Sequence, residues 1–165
     1  MKNNINICVI GLGYVGLPLA VEFGNYFNTI GFDISKKKIN NLRKGYDLNN
    51  EISKNQIKNS KYLFFSDNQK DLETSNIKII AVPTPVKKNN KPDLKILLNA
   101  CKLAARALNK NDIIIFESTV FPGATENYCI PEIEKFSKLK WMKDFNVGYS
   151  PERINPGDKV HTITK

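Results

Sequence analysis

The sequence predicts an α/β fold, a doubly wound parallel sheet of about six strands with helices between them. Three observations predict it. Short apolar runs of strand length alternate along the chain with helical patterns, which is the order of βαβ units. The first apolar run, residues 5–10, leads directly into a glycine-rich turn and then an apolar helical segment. No internal repeat or low-complexity tract breaks the alternation, so residues 1–165 are expected to form one domain of the Rossmann type.

Each predicted strand is rich in β-branched or aromatic residues and is bounded by polar residues or glycine. The predicted strands are residues 5–10, 29–32, 62–65, 77–82, 113–117 and 146–149. Helices are predicted between them at residues 17–27, 36–44, 49–59, 68–74, 93–108 and 123–138. Gly45 closes the second helix, Asp93 caps the fifth, and Pro131 kinks the sixth or begins a new helix.

The glycine-rich turn has the spacing G-x-G-x-x-G between a strand and a helix. Gly11 is expected to make the tight turn, Gly13 to let a pyrophosphate approach the backbone, and Gly16 to let helix and strand pack closely. The N-terminus of the following helix would offer free N–H groups to the phosphates. The alternative is a turn that only connects strand to helix, but position, spacing and the acid discussed next all favour a dinucleotide site.

Asp33 ends the second predicted strand, at the distance from the turn where dinucleotide folds place an acid. A carboxylate there accepts hydrogen bonds from the adenosine ribose and repels a 2′-phosphate. The sequence therefore predicts NAD as the cofactor and disfavours NADP.

Composition excludes several other classes of function. The net charge is +9, but the lysines are scattered, so a nucleic-acid partner is not expected. Cys8, Cys101 and Cys129 are far apart and accompany a single histidine, so neither a metal site nor a disulfide framework is predicted. Cys8 and Cys101 are expected in the core. Cys129 is interpreted as a packing residue at a half-exposed position, because no histidine or second thiol accompanies it. No apolar run reaches the roughly 18 residues of a membrane span and no signal peptide is evident, which predicts a cytoplasmic protein without a membrane partner.

Polar loops follow the fourth, fifth and sixth predicted strands, where a parallel sheet binds its ligands. These loops contain Val-Pro-Thr-Pro at residues 82–85, Glu-Ser-Thr-Val at residues 117–120 and Ser-Pro-Glu-Arg at residues 150–153. Turn prolines and capping threonines explain any one such loop. Three of them at three successive strand ends indicate a binding site.

Together with the glycine turn, these loops resemble the N-terminal domain of the UDP-glucose/GDP-mannose dehydrogenase family. The resemblance covers essentially the whole chain. Residues 150–158 most resemble the branch that oxidises UDP-N-acetylhexosamines. In the UDP-glucose branch a second acid stands four residues after the position of Glu152, whereas this chain has Pro156 there.

The resemblance implies a role for each matching residue. The NAD-binding residues would be Gly11, Gly13, Tyr14, Val15, Gly16, Asp33, Lys38, Thr84 and Thr119. Thr119 would also position a catalytic water, and Glu152 would assist hydrolysis of a thioester intermediate. Arg153 and Ile154 would contact the UDP-sugar.

The family oxidises a sugar C6 alcohol to a carboxylate with two NAD, through a covalent intermediate on a cysteine. That cysteine and most of the dimer interface belong to the family's central and C-terminal regions, which are absent from this chain. The chain alone is therefore expected to bind NAD without turnover. Two alternatives stay open: a non-catalytic NAD-binding module, and another Rossmann oxidoreductase of the hydroxyacid dehydrogenase type.

Overall fold

A computed structural model describes residues 5–87 and 91–150 and contains a parallel sheet of six strands in the order β3-β2-β1-β4-β5-β6. The strands are β1 Asn6–Ile10, β2 Asn28–Phe32, β3 Leu63–Ser66, β4 Ile77–Ile80, β5 Ile113–Phe116 and β6 Asn146–Tyr149. Every neighbouring pair is parallel. The predicted fold class is confirmed.

Helices cover both faces of the sheet. The α-helices are α1 Gly16–Phe23, α2 Lys36–Arg43, α3 Lys54–Asn59, α4 Lys95–Arg106 and α5 Ile130–Ser137. A 3₁₀ helix spans Gln69–Thr74, and a π-helix spans Thr125–Cys129 directly before α5.

The alternation of side chains along β1 separates two apolar layers. Ile7 and Val9 pack with α1 and α2 on one face, whereas Cys8 and Ile10 pack with α4 and α5 on the other. From β1 the chain moves outward to β2 and β3, and after β4 it moves in the opposite direction to β5 and β6. This reversal opens a crevice beyond the carboxyl ends of β1 and β4, which is where such sheets bind ligands.

Two helices are shorter than predicted, each for a local reason. Helix α1 ends at Phe23, and its C-cap Gly24 packs against the segment that leads into β3, where the Tyr62 N–H donates to the Gly24 carbonyl at 2.9 Å. Helix α3 begins only at Lys54, where Ser53 and Gln56 form a capping box. The residues before it instead wrap around Asp47, whose carboxylate accepts the N–H groups of residues 49, 51 and 52.

Asp93 and Pro131 lie at the starts of α4 and α5. Helix α4 starts at Lys95, and the Asp93 carboxylate accepts the N–H of Lys95 at 3.0 Å. Pro131 lies in the first turn of α5, directly after the π-helix, so the helical backbone runs on through it from Thr125 to Ser137. Within residues 5–87 and 91–150, no helix has the length and apolar character that crossing a bilayer requires.

Candidate functional site

Two adjoining cavities, each of about 400 Å³, lie in the crevice beyond β1 and β4. They share Gly13 and residues 81–83, the segment that follows β4. The first cavity extends to Asp33, and the second extends to Thr84 and Thr119. Nearly all of the site residues predicted from the sequence within the described segments therefore meet at one end of the sheet.

The glycine loop forms the floor between the two cavities. Gly11 has φ +97°, and a Cβ there would lie 2.8 Å from the Ala81 carbonyl oxygen. A Cβ on Gly16 would lie 1.8 Å from the Gly11 carbonyl oxygen, so helix α1 can start there only without a side chain. A Cβ on Gly13 would meet nothing within 4 Å. Gly11 and Gly16 thus shape the loop, whereas Gly13 leaves open space for a ligand.

Asp33 is 8% exposed and connects the loop with helix α2. Its Oδ2 accepts the Leu12 N–H at 3.1 Å and the Lys38 ammonium at 2.7 Å. Its Oδ1 accepts the Ser35 N–H at 2.9 Å. An ionised carboxylate has about four acceptor positions, so room for a hydroxyl donor remains. Lys38 offsets part of the negative charge that an incoming anion would meet.

The far wall of the first cavity was not predicted from the sequence. Ile96, Asn99 and Leu103 of α4 line it opposite the exposed Ile34, which follows Asp33. On the opposite side of the same helix, Leu97, Cys101 and Ala104 are buried against the sheet. The spacing i, i+3, i+7 marks a second helix face, but only the fold shows that this face meets a cavity.

The second cavity is bounded by the loops after β4 and β5. The Thr84 hydroxyl donates a hydrogen bond to the Thr119 carbonyl at 2.5 Å, which joins the two loops. Tyr14 and Val15 lie opposite them, with Tyr14 51% exposed. Among the described residues, the Thr119 hydroxyl makes no hydrogen bond to a protein group.

Glu152, Arg153 and Ile154, the remaining predicted site residues, lie outside the described residues. In the two described segments, no cluster of three histidine, cysteine or acidic side chains could hold a metal ion.

The three thiols lie in the core, where a substrate cannot reach them. Cys8, Cys101 and Cys129 are each 0% exposed, so the expectation that Cys129 is half exposed was wrong. The π-helix carries Cys129 inward against Cys101 of α4. Burial raises the pKa of Cys8 to about 12. The hydrogen bond from the Cys101 thiol to Cys129 and burial both raise the pKa of Cys101, so it stays protonated.

Comparisons with known proteins identify the family of the chain. The family model described as UDP-glucose/GDP-mannose dehydrogenase family, NAD binding domain, matches residues 5–165. Protein CapL of Staphylococcus aureus is 54% identical over 160 residues, 97% of this chain and 38% of that protein. UDP-N-acetyl-D-glucosamine 6-dehydrogenase of Pseudomonas aeruginosa is 48% identical over 161 residues, 98% of this chain and 38% of that protein.

A solved structure shows the same fold. The UDP-D-ManNAc dehydrogenase of Pyrococcus horikoshii matches with a TM-score of 0.85 and 34% identity, over 93% of this chain and 37% of that one. The chain thus spans well under half the length of these relatives. Both the predicted family and the predicted cofactor, NAD, are confirmed. The chain belongs to the UDP-glucose/GDP-mannose dehydrogenase family, of which it is the NAD-binding domain.

Proposed function

We propose that NAD lies across both cavities, with its adenosine in the first and its nicotinamide in the second. The observation that carries this proposal is the open space at Gly13. Gly13 lines both cavities, and a Cβ added to it would have no other atom within 4 Å. A pyrophosphate fits such a gap because backbone N–H groups at a helix start face it. Val15, the residue before α1, makes no side-chain cap bond in the described chain. The Leu17 N–H is bonded to the Gly13 carbonyl, so the donors available to an anion are the N–H groups of Val15 and Gly16.

The two ends of the cofactor differ in what holds them. Asp33, with Lys38 beside it, accepts a ribose hydroxyl, while Ile34 and the α4 wall enclose the adenine. Thr84 and Thr119 face the nicotinamide, together with Tyr14 and Val15. The Thr84 hydroxyl proton is donated to the Thr119 carbonyl. The Thr84 oxygen therefore acts toward the ligand as an acceptor, for example of a carboxamide N–H.

The whole protein, we infer, oxidises the C6 alcohol of a UDP-N-acetylhexosamine to the uronic acid with two NAD, in the synthesis of surface polysaccharide. Support comes from the 48% identity to a UDP-N-acetyl-D-glucosamine 6-dehydrogenase. Bound NAD supplies a hydride acceptor. Thr119 presents a free hydroxyl for holding a water, Glu152 serves as the acid or base of the hydrolytic half, and Arg153 and Ile154 contact the sugar nucleotide.

The proposal also includes a cytoplasmic location for the protein and a need for a further region to complete the active site. Three buried free thiols suit a reducing compartment. All three are fully buried, so none of them serves as the nucleophile, which a region outside this chain would supply along with most of the dimer interface. The non-catalytic module remains the second candidate because of these buried thiols, whereas family membership disfavours the hydroxyacid dehydrogenase type.

A chimera tests the catalytic proposal. Residues 1–165 replace the matching segment of the Pseudomonas aeruginosa enzyme, and NADH formation is followed with UDP-N-acetylglucosamine and NAD. We expect turnover by the chimera and none by the chain alone. Glu152→Gln in the chimera should lower kcat on the order of 10²-fold or more without weakening NAD binding.

Two results would contradict the proposal. One is a folded chimera that binds NAD but stays inactive while the parent enzyme works under the same conditions, which would favour the non-catalytic module. The other is formation of the uronic acid by the isolated chain, which would show that the oxidation to the carboxylate needs no cysteine from a further region.

A further inference from the structure

Ser118 joins the two loops that bound the second cavity, and it is not among the site residues predicted from the sequence. It follows β5 by two residues and is 4% exposed. Its hydroxyl oxygen accepts the Val82 N–H at 3.1 Å, and its proton is donated to the Val82 carbonyl at 2.7 Å. One side chain thus satisfies both backbone groups of a residue on the neighbouring strand's extension.

The position of this contact explains its importance. The backbone hydrogen bonds between β4 and β5 continue to the bond from the Glu117 N–H to the Ile80 carbonyl, at 2.9 Å. On the other side, Ala81 donates its N–H to Ile10 of β1. Beyond this point the backbone of β5 no longer pairs with the segment after β4. The Ser118 side chain takes the place of the missing backbone partner and bonds both backbone groups of Val82.

A second link lies farther out along the same two loops. The Thr84 hydroxyl reaches the Thr119 carbonyl, so the loops are joined at Val82 to Ser118 and again at Thr84 to Thr119. The inner link is part-buried and pairs the Ser118 hydroxyl with both backbone groups of Val82, whereas the outer link is exposed. Pro83 between them removes one freely rotating backbone torsion, which makes the segment a short, stiff bridge.

We propose that Ser118 is a positioning residue that shapes the nicotinamide end of the NAD site before the cofactor binds. This inference rests on the proposed placement of NAD. Ser118 acts through Val82 and thereby sets Thr84 and Thr119, which face the ligand. Loss of its hydroxyl leaves two partly buried backbone groups unpaired, and the loops separate to reach water. The adenosine end, built from Asp33 and α4, shares no hydrogen bond with Ser118.

The experiment compares NAD with ADP-ribose, which lacks only the nicotinamide, by calorimetric titration of the purified chain. Wild type should bind NAD more tightly than ADP-ribose. Ser118→Ala should weaken NAD binding about tenfold, in line with the cost of an unpaired buried polar group, and leave ADP-ribose binding within about twofold. Ser118→Thr retains the hydroxyl and should restore most of the preference for NAD.

Ser60→Ala is the matched control. Ser60 is 5% exposed and donates a hydrogen bond at 2.7 Å to the carbonyl of Val21, in the C-terminal half of α1, and neither residue lines the second cavity. Ser60→Ala should lower thermal stability, as Ser118→Ala does, but it should leave the ratio of the affinities for NAD and ADP-ribose unchanged. Equal loss of both ligands in Ser118→Ala would overturn the proposal, as would equal binding of both ligands by wild type. Failure of wild type to bind either ligand would instead overturn the NAD site itself.

Discussion

Gly13→Ala is expected to weaken NAD binding while leaving the fold intact, whereas Gly16→Ala is expected to destabilise the fold. A methyl group on Gly13 touches no protein atom within 4 Å, and it occupies the gap between the cavities where the pyrophosphate would approach. NAD affinity should fall on the order of tenfold to hundredfold, because charge-assisted hydrogen bonds to the phosphates are lost. The midpoint of thermal unfolding should change little.

Gly16→Ala places the same methyl group 1.8 Å from the Gly11 carbonyl oxygen and 3.2 Å from Ala81 Cβ. Both neighbours belong to the backbone or to a buried side chain, so neither can yield cheaply. Overpacking of this kind costs about 3 kcal/mol, which lowers the melting temperature of a domain of this size by roughly 6–12 °C. Calorimetric titration and thermal unfolding of both variants separate the effects. Normal NAD affinity in Gly13→Ala, or wild-type stability in Gly16→Ala, would contradict the described loop.

Lys78→Met is expected to cost about 3–5 kcal/mol of unfolding free energy, the range observed when one partner of a buried ion pair is removed. The Lys78 side chain is 0% exposed in the centre of the sheet. Its ammonium lies 2.8 Å from Asp112 Oδ2 and 2.7 Å from the Ser75 carbonyl. Without the ammonium, the carboxylate of Asp112 remains buried and uncompensated.

Lys110→Met provides the matched control, because it makes the same chemical change at a 73% exposed side chain, 3.6 Å from Asp144. Exposed pairs of this kind contribute about 0–1 kcal/mol. Denaturant unfolding measures both variants. The double variant Lys78→Met/Asp112→Leu should regain part of the loss because it buries no lone charge. A cost below about 1 kcal/mol for Lys78→Met would show that the pair contributes little to the fold.

The sequence is sufficient to predict the sheet, because each strand is a local apolar run and the glycine turn identifies the first βαβ unit. It also places Asp33 and the loops around Thr84 and Thr119 correctly, since residues at the carboxyl ends of parallel strands share one edge. Lys78 breaks the apolar pattern of its strand, and the sequence offers no reason for it. The reason is Asp112, 34 residues away, which only the pairing of β4 with β5 brings near.

The features that sequence reasoning missed all depend on how separate elements pack. The α4 wall of the first cavity and the bond from Ser118 to Val82 arise from contacts between distant segments. Cys129 was expected to be half exposed because it follows a helix start. The π-helix rotates it into the core, and the residues around it give no local sign of that turn.

The most direct test of the NAD site is calorimetric titration of the purified chain with NAD and NADP, for wild type and Asp33→Asn. Asp67→Asn serves as control, because it changes the net charge equally at a pair with Arg43 outside both cavities. Wild type and the control should bind NAD at least about tenfold more tightly than NADP, since a carboxylate repels a 2′-phosphate, and Asp33→Asn should narrow that difference. Equal binding of the two dinucleotides by wild type, or no binding of either, would contradict the site described for this chain.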